Sequence, residues 1–140
     1  MRAIIDTNVL ISGVISNKSF PAKVLDYWVI RRFIPVISGE IVKEYSAVLL
    51  RDKFSALGSI KERLDLLDRL LSLDHVIVIS PQLKIEVITE DPKDNIFLEC
   101  AVAGGCEFII SGDQHLLQVK DYNSIKIVTA REFINKMDSA

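Results

Sequence analysis

RAIID (residues 2–6) is a short apolar run that ends in an acid, the pattern of a strand buried on both faces with a carboxylate at its carboxyl end. CEFIIS (106–111), with Asp113 just beyond it, repeats the pattern far down the chain. Between and around these two, strand-like runs alternate with helical ones. FIPVIS (33–38), HVIVIS (75–80) and SIKIV (124–128) read as further strands, and IEVIT (85–89) as a short extension or edge segment. Helices are expected over 8–15, 20–32, 39–51, 60–73, 91–105 and 130–137, with a plain turn around Asp121–Asn123. Their start signals are specific. Pro21 and Pro92 stand at first helical positions, Ser38 and Asp91 at caps, and Ser59/Glu62 and Thr129/Glu132 form capping boxes. Arg31 and Arg32 fall in the last turn of 20–32, and Gly104–Gly105 stops 91–105. Strands alternating with helices along the whole chain imply one α/β domain, residues 1–140, with a mostly parallel sheet and helices on both faces.

A hydrophobic content of 49% with 26% charged residues is that of a globular domain, and no apolar run reaches membrane-span length. Asp6 and Asn8 interrupt the apolar N-terminus, so it does not read as a signal peptide, and the cytoplasm is the expected location. Cys100 and Cys106 lack zinc-ligand spacing and lie far from His75 and His115, which makes them small buried hydrophobes. The net charge of −2 does not advertise a nucleic-acid binder. Setting aside four metal-holding carboxylates, however, leaves +2 for the remainder, with Lys18, Lys23, Arg31, Arg32, Arg51 and Lys53 as candidate rim residues. For any one of these, a solvated helix face is the simpler reading.

Asp6 and Asp113 both follow strands, and in a parallel sheet the carboxyl ends of strands share one edge. If strands 1 and 4 are central neighbours, the two acids lie side by side where the winding reverses. Asp94 sits in the first turn of the helix before strand 4, and Glu44 about two turns into the helix after strand 2. Each acid has a local explanation: a helix cap for Asp6, dipole stabilisation for Asp91 and Asp94, a turn for Asp113, a solvated face for Glu44. Together they suggest a metal cluster. Several carboxylates stay ionised at close range only beside a cation, and oxygen ligands without neighbouring Cys or His select Mg²⁺ or Mn²⁺. Such ions support phosphodiester hydrolysis. No nucleophilic triad or phosphate-cradling glycine loop competes.

IIDTNVLISG (4–13), VISGEIVKEYSAVL (36–49), EDPKDNIFLECAVAGGCEFIISGDQHLL (90–117) and IKIVTAREFI (125–134), in this order and at these intervals, resemble the PIN domains. In particular they resemble bacterial and archaeal toxin components of toxin–antitoxin pairs (VapC-like ribonucleases). The resemblance implies a three-layer α/β/α fold with about five strands in the order 3-2-1-4-5. It also implies Mg²⁺- or Mn²⁺-dependent cleavage of RNA, leaving a 5′-phosphate and a 3′-hydroxyl. By position, the metal-binding and catalytic acids correspond to Asp6, Glu44, Asp94 and Asp113, with Asn8, Asp91 and Ser111 as accessories. Glu40 lies one turn from Glu44 on the same face and is its rival; the family pattern favours Glu44. Where many relatives carry a further acid, this chain has His115, which is expected at the surface; without that acid a second ion is held less firmly. An RNA substrate, a cognate antitoxin and a homodimer are the expected partners, with no membrane. Two other classes compete: a non-catalytic PIN-like interaction or nucleic-acid-binding module, and a haloacid-dehalogenase-type phosphatase. The phosphatase needs an Asp where this chain has Asn8.

Overall fold

Successive side chains of a strand point to opposite faces. Burial of Ala3, Ile4 and Ile5 in a row therefore means that both faces of β1 (Arg2–Ile5) are covered, and Phe108, Ile109 and Ile110 of β4 (Phe108–Ile110) repeat this. The structure, a computed structural model, describes residues 1–88 and 92–139. The other strands are β2 (Ile34–Ser38), β3 (Ile77–Ile79), β5 (Asp121–Tyr122) and β6 (Ile125–Val128). Helices α1 (Thr7–Ile15), α2 (Phe20–Val29), α3 (Gly39–Leu49), α4 (Ile60–Leu71), α5 (Asn95–Ala103), α6 (Gln114–Val119) and α7 (Ala130–Asp138) alternate with them. Two 3-10 segments, Asp52–Leu57 and Pro92–Asp94, precede α4 and α5.

The six strands lie in the order β3-β2-β1-β4-β6-β5. All pairs are parallel except β5 with β6. The chain winds outward from β1 through β2 to β3, then crosses back to place β4 on the other side of β1. In register, Ile5 sits opposite Ile110, so the residues that follow the two strands emerge together at the switch point. The expected order of the first four strands is the one observed.

Three local expectations need correction, and one helix is added. The turn at 121–123 is part of a hairpin: β5 and β6 pair around Asn123 and Ser124, both at positive φ (47° and 69°), so the sheet has six strands rather than five. The segment after Asp113, to which the sequence reading assigns no element, forms α6. Residues 85–88 make no strand. The side chain of Asn95 instead pairs with both backbone groups of Ile88 (3.0 and 2.9 Å), and the buried Glu99 accepts from Ile85 N–H (3.0 Å), so α5 takes the place of a neighbouring strand. Finally, α2 ends before Arg31. Arg31 adopts φ 65° in a Schellman stop, with N–H bonds from Arg31 to Trp28 O and from Arg32 to Tyr27 O, and Arg32 stacks over Tyr27. Thr89 and the Asp91 cap lie outside the described residues.

The core runs continuously under the sheet switch point. Trp28, Phe33, Phe133 and Phe108 meet edge to face with centroids 5.4–6.3 Å apart, linking α2, the residue that leads into β2, α7 and β4. Trp28 Nε1 donates to Leu70 O (3.0 Å), which ties α4 to the same cluster. Both cysteines are free and buried, and burial pushes each thiol up to about 12, as inert packing residues require. No helix among the described residues is long and apolar enough to cross a membrane.

Candidate metal centre

Asp6 stands where β1 stops and α1 starts, and the geometry uses both of its oxygens. Oδ1 accepts from Val9 N–H (2.8 Å) as the cap of α1. Oδ2 accepts from the Ser111 hydroxyl and from Gly112 N–H (3.2 Å), which reach it from the end of β4. Ser111 Oγ in turn accepts from Asp113 N–H (2.9 Å), so one hydroxyl couples the two strand-end acids. Asp6 is only 3% exposed. Burial raises its carboxyl above the ordinary value; the hydrogen bonds from Ser111, Val9 and Gly112 oppose that rise without cancelling it, and the charge on Asp113 adds to it.

Glu44 enters from α3, which is fixed next door. Tyr45 is fully buried, and its hydroxyl donates to Ile5 O (2.5 Å), the carbonyl immediately before Asp6. This bond docks the middle of α3 onto the end of β1. Asp94 closes the cavity from the junction of the 3-10 turn and α5, and Asp113 from the cap of α6, where its Oδ1 accepts from His115 N–H (2.7 Å).

The result is a cavity of about 130 Å³ at the switch point, lined by all four acids together with Thr7, Asn8, Val48, Arg51 and Phe97. Glu40 is not among them. It is exposed in the first turn of α3, with Lys84 Nζ 4.0 Å away, so of the two rivals only Glu44 faces the cavity. Ser111 is fully buried behind Asp6, and Asp91 falls outside the described residues. Arg31 among the expected rim residues pairs with Asp74, and Lys53 lies over Phe54; Arg51 alone of the six reaches the cavity wall.

The residues fit a divalent ion. Four carboxylates line one cavity, and Thr7, another lining residue, has a buried Oγ1 with no hydrogen-bond partner among the described residues. Ligand atoms of Asp94, Asp113 and His115 lie within 4.8 Å of one another. His115 keeps a side chain 38% exposed, as expected of a surface residue, but its Nδ1 is turned inward, buried and without a hydrogen-bond partner among the described residues, 3.7 Å from Asp113 Oδ1. It could therefore add a nitrogen donor to a site otherwise built of oxygen.

Three of these neighbours carried a sequence signal. Glu44, Val48 and Arg51 follow i, i+4, i+7 spacing, which carries one stripe from α3 past its end into the cavity, and Asp94 with Phe97 repeats this on α5. Thr7 and His115 carried none, since nothing local distinguishes a buried hydroxyl or imidazole from an exposed one.

The chain is thus of the open, mostly parallel α/β class, with four acids lining a cavity at the switch point, where such sheets bind their ligands. Within that class, residues 2–115 match the PIN domain, and the chain belongs to the PIN domain family. PIN domains are generally metal-dependent nucleases and typically use divalent ions. The chain is also similar to the uncharacterized protein MJ1680 of Methanocaldococcus jannaschii, at 29% identity over 99% of this chain and 92% of that protein.

Proposed function

We propose that the protein is a Mg²⁺- or Mn²⁺-dependent endoribonuclease and that Asp6, Glu44, Asp94 and Asp113 are its metal-binding and catalytic residues. The carrying observation is their convergence on one cavity from four different elements. Local capping accounts for Asp6 and Asp113 one at a time, but no local role brings Glu44 and Asp94 to the same place. A bound ion supplies Lewis-acid stabilisation of the charge that develops on a phosphodiester and lowers the pKa of water at the site. The chain's own share is orientation. Ser111 and Gly112 hold Asp6 rigid, Ser111 aligns the backbone ahead of Asp113, and the Tyr45 bond sets the depth of Glu44. Arg51, which also lines the cavity, offers a guanidinium to a phosphate oxygen.

RNA as the substrate and the toxin role rest on the sequence resemblance, which also brings in an antitoxin partner, a homodimer and a cytoplasmic setting. A small DNA-binding protein encoded beside this gene supports the toxin reading; an isolated gene favours a free-standing nuclease. The enzymatic part is tested by incubating the protein with single-stranded RNA in Mn²⁺ and in chelator. Cleavage is expected only with metal.

Metal binding has its own readout. Saturating Mn²⁺ at a hundred times its Kd should stabilise the fold by about 2.7 kcal/mol, visible as a rise in Tm that chelator reverses. Replacing His115 by Ala should shrink the Mn²⁺ shift and leave the Mg²⁺ shift in place, since an imidazole nitrogen favours the transition metal. Equal losses for the two ions would show that His115 acts through the fold instead.

A further inference from the structure

A second cavity, of about 410 Å³, opens directly beside the acidic one. Asn8 lines both, and Ser111 and Gly112, whose donors hold Asp6, form part of the wall of the second. In chemical character the two are opposites. The second is walled mainly by apolar groups, including Val9, Pro21, Leu117 and Ala130, and its rim carries Phe20 and Arg131. Its volume falls within the range of small-molecule sites.

Phe20 has no evident duty in the fold. It opens α2, Ser19 supplies the cap, and Phe20 remains 38% exposed outside the buried core. Two cations attend its ring: Lys23 Nζ lies 5.9 Å and Arg131 Cζ 6.0 Å from the centroid. Neither forms a salt bridge among the described residues. An apolar slot alone would accept an aliphatic side chain as readily as anything else. Two uncompensated cations beside an exposed aromatic face, next to a cavity fit for a metal, select instead a polyanion that also carries flat rings.

We propose that this groove seats a nucleobase of single-stranded nucleic acid next to the phosphate held in the acidic cavity. Phe20 stacks on the base, while Lys23 and Arg131 take flanking phosphates. The inference rests on reading the acidic cavity as a phosphodiester-cleaving centre, and it narrows the substrate: a duplex keeps its bases stacked and cannot offer one to the slot. Asn8, at the junction of the two cavities, is placed to meet the linking sugar-phosphate.

The test is fluorescence anisotropy in chelator, with a short labelled single-stranded RNA, the same strand in duplex form, and a DNA strand of equal length. The wild-type chain should prefer either single strand to the duplex. Phe20→Ala should weaken single-strand binding roughly tenfold, within the range for loss of one base–aromatic stack, and Phe20→Trp should restore it. Arg131→Glu should weaken binding and flatten its salt dependence. An unchanged Mn²⁺-induced Tm shift in Phe20→Ala would show that fold and acidic cavity are intact. Equal affinity of wild type and Phe20→Ala, or duplex bound as tightly as single strand, overturns the groove. If Phe20→Ala costs binding but the wild type cleaves nothing in Mn²⁺, the nuclease reading fails and the groove stands. If RNA is cleaved while Phe20→Ala alters neither Kd nor KM, the groove alone fails.

Discussion

Changing Asp6 and Asp113 together to Asn is expected to abolish Mn²⁺-dependent cleavage of single-stranded RNA while the chain still folds. The activity loss should be roughly a thousandfold or more, because charge stabilisation by a bound ion is worth several kcal/mol and each 1.4 kcal/mol is tenfold in rate. The fold should survive for reasons specific to each position. Asn serves as a helix cap about as well as Asp, so the bond from Val9 N–H to position 6 persists, and so does that from His115 N–H to position 113. At position 6 an amide NH₂ that replaces Oδ2 turns toward Ser111 Oγ, which can accept, and toward Gly112 N–H, which cannot. That mismatch costs about 1–3 kcal/mol. It is offset by removing a buried charge that the native fold keeps at a raised pKa. Circular dichroism and Tm in chelator should therefore stay close to wild type, whereas the Mn²⁺-induced rise in Tm disappears. Robust cleavage by the double variant, or by the wild type in chelator, would overturn the metal-centre reading.

Much of this site was legible before the structure because strand ends and caps are local signals. An acid that closes a wholly apolar run marks the end of a buried strand, and two such runs in an alternating chain belong at one sheet edge. That logic reaches Asp6 and Asp113. It does not reach the choice between Glu40 and Glu44, which share a helical face in sequence. The structure separates them through Tyr45, whose bond to Ile5 O fixes how far along α3 the sheet edge meets the helix. A tyrosine in an apolar stripe gives no warning that its hydroxyl will find a particular carbonyl. The short strands were harder for a different reason. Residues 85–88 have the composition of a strand, but their backbone is satisfied by the side chains of Asn95 and Glu99, a tertiary substitution that no local pattern announces. Asn123–Ser124 is a hairpin turn without the glycine that normally flags one.

The largest stability effect is expected at a residue that its sequence context puts on a solvated face. Arg63 lies in IKERLDLLDRLLSL, among charged neighbours, yet it is 5% exposed. Its guanidinium reaches no carboxylate within salt-bridge distance among the described residues. Four carbonyls receive it instead: Nη1 donates to Leu49 O (3.0 Å) and Arg51 O (3.2 Å), and Nε to Gly58 O (3.0 Å) and, more weakly, Ser59 O (3.4 Å). Leu49 closes α3, so its carbonyl belongs to the last turn that a helix leaves unpaired, at the negative end of the helix dipole. One buried cation thus caps α3, fixes both ends of the Asp52–Leu57 segment and braces the start of α4. Because it holds the Arg51 carbonyl, it also sets where the Arg51 side chain meets the acidic cavity. Arg63→Met keeps most of the apolar stem and removes every donor. Leaving the buried Leu49 carbonyl unsatisfied, with its neighbours weakened, should cost about 2–4 kcal/mol in urea unfolding. Arg63→Lys should recover only part of this, since an ammonium cannot span carbonyls arranged for a planar fork. In the folded fraction of either variant, kcat/KM for RNA should fall while the Mn²⁺-induced Tm shift persists, because the four acids do not depend on Arg63. If Arg63→Met unfolds within about 0.5 kcal/mol of wild type, the scatter ordinary for surface substitutions, the carbonyls have found water and the bracing role is wrong.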